Sequence, residues 1–506
     1  MATLRKLAMA AVLTAALAAA LASPATAKTL RIGLAEDPDI LDPTLARTFV
    51  GRIVFASLCD KLFDITADLK IVPQLATSYA WAADNMAVTL KLREGVLFHD
   101  GTPFDAEAVK FNIERHLTMK GSNRKGEISA IKSVAVIDPH TVRFDLASPF
   151  APLLAQLTDR AGMMVSPTAA KAAGESFGAH PVCAGPFKFV ERVAQDRIVA
   201  EKFAQYWDKD HVFIDRVEYR PIPDAAVRVA NLQAGSLDFI ERLQPTDVAA
   251  VRKDAKLATA SIPEIGYIGI TVNSANGDKG KNPLGQDARV REALSLAIDR
   301  QALMQVVYNG EFLAGNQPFS PESPWYDKSF PVPARDLAKA KELLKAAGQP
   351  NPTIDYMVPT TSDDQQIAQV IQAMAREAGI DLKLQAVEFA TSLDRAERGD
   401  FQAYQIGWSG RVDPDGNLYI FLSCKGSQNS GHYCNPEFDK LLDEARSTID
   451  PAARKQLYDQ AITVMQHDLP IIYLYNRRWI YGFSKKLAGF TPFPDGLVRV
   501  KDLKLE

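Results

Sequence analysis

Downstream of residue 27, short alternating stretches and capped amphipathic stretches take turns along the chain. Thr29–Leu34 reads as a strand that runs into the turn-rich segment EDPDILDP. Val88, Leu90 and Leu92 alternate with polar positions, the two-residue period of a half-buried strand. Val142, Phe144 and Leu146 do the same, and so do Ile268, Ile270 and Val272. After the turn at Asp100-Gly101, Asp105 is placed to cap a helix whose Val109, Ile113, His116 and Leu117 share one face. Asp336 predicts a second helix start, with Leu337, Ala340, Leu343 and Leu344 inward and Gly348 as the stop. Asn435-Pro436 and Asp450-Pro451 each join an N-cap to a proline in the first turn. The helices they open carry Phe438, Leu441, Leu442 and Ala445, then Leu457, Ile462 and Met465. Short strands alternating with such helices predict α/β architecture. No repeat, low-complexity tract or long linker separates them, so the domains are expected to interleave.

Composition narrows the class. At 506 residues the chain exceeds what one core serves, which predicts two or three domains. Hydrophobic residues at 47% and charged residues at 24% exclude a disordered chain, a fibre and a disulfide scaffold. A net charge of −3 provides no basic field for nucleic acid. The N-terminus has a basic head, Arg5-Lys6, an uncharged run from Leu7 to Leu21, a break at Ser23-Pro24 and the small residues Ala25-Thr26-Ala27. The run of about 15 apolar residues falls short of the roughly 20 that span a bilayer, so it reads as a signal peptide cleaved after Ala27. Loss of Arg5 and Lys6 takes the net charge to −5. No cysteine sits at the cleavage point, so no lipid anchor is expected, and Lys28–Glu506 should be an exported, soluble monomer.

Export changes how the four cysteines read, because an oxidising compartment favours pairing. Cys424 and Cys434 flank the polar loop KGSQNSGHY, where a bridge would remove about 2–3 kcal/mol of unfolded-state entropy. Cys59 and Cys183 are left over, either paired with each other or present as buried thiols. None of the four has metal-site spacing.

Catalytic constellations are missing. Gly407-Trp408-Ser409-Gly410 is one residue short of a nucleophile elbow, and neither H-E-x-x-H nor a phosphate-binding G-x-x-x-x-G-K-[ST] occurs. The seven histidines, at 99, 116, 140, 180, 211, 432 and 467, stand singly. These patterns predict no cofactor, no metal ligand set and no enzyme, with a secreted hydrolase as the remote alternative.

Two stretches stand out. Ala76 to Trp81, Val88 to Gly95, Phe98 to Asp105 and Ala108 to Phe111 run as strand, glycine turn, aromatic, Asp-Gly turn and capped helix. This order resembles the signature of the family 5 solute-binding proteins, the extracytoplasmic receptors of dipeptide, oligopeptide and nickel ATP-driven importers. The resemblance continues through Leu41-Asp42-Pro43, Ala184-Gly185-Pro186-Phe187, Tyr206-Trp207, the helix-like Val290–Arg300, and Gly407-Trp408 with Asp413-Pro414-Asp415. It implies a two-lobed periplasmic-binding-protein fold of type II, a Venus flytrap, with an extra domain inserted in the N-terminal lobe. By similarity, lobe I would use residues 28–64, 187–271 and 481–506, the inserted domain 65–186, and lobe II 272–480. The partners implied are a small-molecule or peptide ligand and the permease subunits of an ABC transporter in the inner membrane.

The family's peptide receptors carry an Asp three residues after the pocket Trp, where it pairs with the peptide's α-ammonium. Here that position is Arg411, after Trp408-Ser409-Gly410. A guanidinium repels an ammonium in a closed cleft and offers a donor fork to a carboxylate or phosphate. The Arg that takes the ligand carboxylate in dipeptide receptors is also missing, since Met357 to Asp364 contains none. The expected ligand therefore has an anionic group near Arg411, with Asp413 as its orienter and Trp408 as a flat wall. Modified peptides, γ-linked peptides such as glutathione, opine-like conjugates and organic acids fit this. An internal pair of Arg411 with Asp413 or Asp415 is the alternative. Tyr475 and Arg478, Tyr267, and Asp37 after the first strand complete the candidate cleft residues. Nickel or a metal–organic chelate is the alternative ligand, although isolated histidines do not favour a direct site.

Overall fold

In the computed structural model, which describes residues 27–506, the alternating stretches are strands and the capped stretches are helices. The expected signal peptide lies outside the described residues apart from Ala27. Three sheets collect most of the strands. The first has seven, in the order Leu257–Pro263, Arg478–Ser484, Phe239–Ile240, Thr29–Leu34, Arg216–Pro221, Arg197–Lys202 and Phe187–Val193. Thr29–Leu34 pairs in parallel on both sides and the remaining pairs are antiparallel. Its core includes Ile32, Phe55, Phe187, Tyr219 and Tyr481.

The second sheet has six strands, Leu313–Ala314, Ile471–Asn476, Tyr267–Val272, Ala403–Trp408, Thr353–Pro359 and Asp381–Val387. Ile270, Leu294, Tyr356 and Ile371 lie in its core. The third is antiparallel, ordered Ala76–Trp81, Ala87–Leu92, Thr141–Leu146 and Ile131–Asp138. Helix Ala106–Thr118 packs into its core, with the Asp105 carboxylate accepting from the Ala108 N–H and Val109, Ile113 and His116 buried. Leu117 is only partly buried at the edge of that core.

Two local expectations change. Tyr267–Val272 is buried on both faces rather than one, because it is an interior strand of a covered sheet. Gly269 is needed there, since a Cβ would stand 2.8 Å from Ile471 Cγ2. The stretch Val290–Arg300 is not one helix. Helix Ala288–Ala297 ends at an extended Ile298, and Asp299 caps a new helix, Arg300–Tyr308, by accepting from the Ala302 N–H.

The chain crosses between the two large sheets twice, at residues 264–266 and at Arg477. The changeovers expected after Thr271 and Ile480 fall a few residues earlier, because the ladders claim whole strands: Tyr267–Val272 pairs within the second sheet and Arg478–Ser484 within the first. The crossings are bound to each other. The Glu264 N–H donates to the Arg477 carbonyl at 3.0 Å, and Arg477 returns its N–H and Nε–H to Glu264 Oε1 at 3.1 and 3.2 Å. Asn476 Nδ2 donates to the Gly266 carbonyl at 2.6 Å.

Cys424 is bonded to Cys434 and Cys59 to Cys183. The second bridge closes the neck through which the chain leaves the first sheet for the third and returns. Beside it the Gly185 N–H donates to the Leu58 carbonyl at 2.9 Å. A Cβ at Gly185 would sit 2.5 Å from that carbonyl.

Candidate functional site

Strand Ala403–Trp408 runs alongside the crossing strand, with Trp408 opposite Tyr267. The chain then turns through Ser409-Gly410. Gly410 adopts φ +78°, and a Cβ there would lie 2.2 Å from the Ile265 carbonyl, so the pocket segment is pressed against the crossing itself. Asn417, in helix Asp415–Leu422, holds this arrangement with one side chain. Its Oδ1 accepts from Trp408 Nε1 at 3.0 Å and from the Arg411 N–H at 2.8 Å, while its Nδ2 donates to the Ile265 carbonyl at 2.9 Å. Gly416 leaves the room that the Arg411 side chain needs, because a Cβ would meet Arg411 Cβ at 2.6 Å.

The Arg411 guanidinium lies over the Trp408 ring at 4.4 Å and donates to its neighbour, the Gly410 carbonyl, at 2.8 Å. Beyond that it reaches out of the second lobe toward Glu127, 3.8 Å away. Glu127 is held by Arg124 at 2.5 Å. Next to them Arg52, from helix Phe49–Leu58, donates to both oxygens of Asp159 at 2.5 and 3.2 Å. Asp159 also accepts from the Arg160 N–H at 2.7 Å. Arg124 and Arg160 both donate to the Ala46 carbonyl, at 3.2 and 2.9 Å. The side chains of Arg52, Arg124 and Arg160 are each 4% exposed.

Four guanidiniums thus face two carboxylates, an excess of two positive charges in a place shielded from water. Burial pushes the Arg411 guanidinium down; Asp159 and Glu127 oppose this and Arg52 and Arg124 add to it. Burial, followed by Arg124, pushes Arg160 down to about 9. Burial alone would raise Asp159, but Arg52, Arg160 and Arg411 overcome it and hold the carboxyl well below its ordinary range. Buried guanidiniums keep their protons at neutral pH, so an anion, and not titration, is what would offset the excess charge. Arg52 Nη1, Arg124 Nε and Arg160 Nε are buried without a hydrogen-bond acceptor. Chemically, such an arrangement of donors can hold carboxylates.

The other expected residues lie elsewhere. Asp413 does not orient Arg411. It takes a bidentate pair from Arg454, both contacts at 2.7 Å, because the helix Pro451–Asp468 brings that guanidinium beneath it. Asp415 pairs with Arg446 at 3.0 Å, so neither internal pairing expected for Arg411 is formed. Tyr475 is buried and its hydroxyl meets that of Tyr308 at 3.0 Å. Tyr267 is buried against Tyr473 and Phe421. Arg478 pairs with Glu322 at 2.6 Å, and Asp37 with Arg192 at 3.1 Å and the Gln195 N–H at 3.0 Å. Of the expected set, Trp408 and Arg411 come together at the cluster. Among the described residues, no three His, Cys, Asp or Glu side chains gather as a metal site.

Sequence reasoning missed Arg52, Arg124, Glu127, Asp159, Arg160 and Asn417. A signal was there for two of the arginines. Arg52 interrupts the apolar run FVGRIVF, and Asp159-Arg160 interrupts LLAQLTDRAGMMV. Charges inside apolar runs are buried charges that need partners.

A model of the bacterial extracellular solute-binding proteins, family 5, matches residues 70–429. The glutathione-binding protein GsiB of Pectobacterium atrosepticum is 32% identical over 506 residues, covering 96% of both chains. Among solved structures, the periplasmic binding protein DppA of Helicobacter pylori in complex with the peptide STSA is 27% identical. It superposes with a TM-score of 0.83 over 94% of this chain and 98% of its own. AgaA from A. tumefaciens R10, in complex with agropinic acid, is 28% identical with a TM-score of 0.81, over 94% of this chain and 99% of its own. Matched by the family model over residues 70–429 and along 96% of its length by a relative 32% identical, the chain belongs to the family 5 bacterial extracellular solute-binding proteins.

Proposed function

We propose that this chain captures a small peptide-like solute carrying carboxylates between its two lobes and delivers it to the permease of an ABC importer. The observation that carries the reading is the excess of two buried positive charges where Arg411 meets Arg52, Arg124 and Arg160. Moving such charges out of water costs several kcal/mol per ion unless they are paired. A ligand carboxylate supplies that pairing only when the lobes are together, so its binding energy goes into closure. A γ-linked peptide of the glutathione kind fits best, since it offers two carboxylates where a plain dipeptide offers one, with its single ammonium turned away from the guanidiniums. The glutathione-binding relative and the agropinic acid complex support an acidic ligand. On this reading the mature chain starts at Lys28, works in the periplasm as a monomer without a lipid anchor, and makes or breaks no bond. Residues from about 65 to 186 act as the inserted domain, Arg411 and Trp408 as ligand contacts.

Native mass spectrometry of gently purified protein, followed by calorimetric titration, tests the reading. Glutathione or an opine-like acid should bind one to one and return unchanged. Tighter binding of Met-Leu than of either acid would overturn it.

A further inference from the structure

We infer that Glu127 determines how many carboxylates the ligand must bring, against a fixed wall of Arg52, Arg124 and Arg160. The inference rests on the reading above and adds the residue that makes the site count charge. Before Arg411 arrives, the wall has three guanidiniums and two carboxylates, one positive charge in excess; closure raises the excess to two.

The two carboxylates are not equivalent. Asp159 accepts through both of its oxygens, from Nε and Nη2 of Arg52 and from the Arg160 N–H, and serves as a built-in counterion. Glu127 is held through one oxygen, by Arg124, while its Oε2 is buried without a hydrogen-bond partner. Arg411 lies 3.8 Å from it, beyond hydrogen-bond reach. The N–H groups of Arg52, Arg124 and Arg160 that lack acceptors belong to side chains more than nine-tenths buried. Two ligand carboxylates set against the cluster balance its excess, provided the ligand's ammonium lies outside it, and a single carboxylate leaves one guanidinium charge unpaired. Glu127 repels any incoming carboxylate and so keeps the count at two; without it the count would be three and the preference for acidic ligands steeper.

The test titrates the full mature chain with glutathione and with its glycine monoethyl ester, which has one carboxylate fewer, at neutral pH and low salt. The quantity read is the ratio of the two affinities. Wild type should prefer the free acid, Glu127→Gln should widen the ratio at least about fivefold, and Arg160→Gln should narrow it by a similar factor. Glu127→Gln carries the test alone if loss of the Arg160 contact to Ala46 prevents folding. Ratios equal within twofold overturn the inference, as does equal weakening of both probes by Glu127→Gln, which would make Glu127 a contact between lobes and nothing more. Failure of wild type to bind either probe overturns the proposed ligand class and this inference with it.

Discussion

At the residue scale, Arg411 and Asp413 sit two positions apart and have different employment. Asp413 is neutralised by Arg454 inside the second lobe, which leaves Arg411 to face the opposite wall. Arg411→Gln should therefore weaken binding of the acidic solute at least about tenfold, roughly 1.4 kcal/mol, while the melting temperature stays near that of wild type. A loss below about fivefold in titration calorimetry would remove the guanidinium from the ligand contacts. Asp415 makes a second prediction, about pH. Burial raises its carboxyl to about 7 against the pull of Arg446. With the folded value above the unfolded one, the unfolded chain ionises first as pH rises, so stability is lost from about pH 4 up to about pH 7 and is level beyond. Asp415→Asn removes that loss. Thermal melts should show the variant gaining on wild type as pH rises through this window, and a trend in the other direction would mean that the Arg446 pairing outweighs burial.

At the element scale, the sequence was most legible where one side chain ends or starts a helix. Asp105, Asp336, Asn435 and Asp450 all cap as their positions predicted. Asp299 does so too, and that cap divides a stretch that reads as continuous by its apolar spacing. Helix Asp415–Leu422 was not legible as a positioning device, because its role lies in contacts with residues far along the chain. Asn417 grips Ile265, and Gly416 makes room for Arg411. Gly416→Ala should displace the Arg411 side chain and lower affinity by about tenfold. Stability should fall as well, because the clash is with Arg411 Cβ, which moves only with its backbone, and this outweighs the up to about 1 kcal/mol that alanine gains over glycine within a helix. Equal affinity in the two proteins would show that Arg411 tolerates a second place.

At the scale of the whole molecule, the proposed closure would run through two crossings that are bound to each other. Glu264 is buried at the crossing and paired with Arg477. Breaking one side of a buried pair costs about 3–5 kcal/mol, less where a partner is partly exposed. Glu264→Gln should lower the melting temperature and shrink the change in radius of gyration that small-angle scattering records on adding ligand. An unchanged scattering difference would mean that the crossing flexes without this pair. The membership of the solute-binding family, the interleaving of its sheets and the place of Arg411 beside Trp408 were legible in the sequence, because each rests on local motifs and on residue type. Both cysteine pairs are bonded, but only the Cys424–Cys434 bridge had a local reason to form. What only the tertiary structure decided was the wall that Arg411 faces. Arg52, Arg124, Glu127, Asp159 and Arg160 come from three separate stretches of chain and meet because two cores and a neck place them side by side. Local periodicity reports which face of an element is buried; it carries no information about which buried charges share a space, and that sharing is what sets the charge of the cluster.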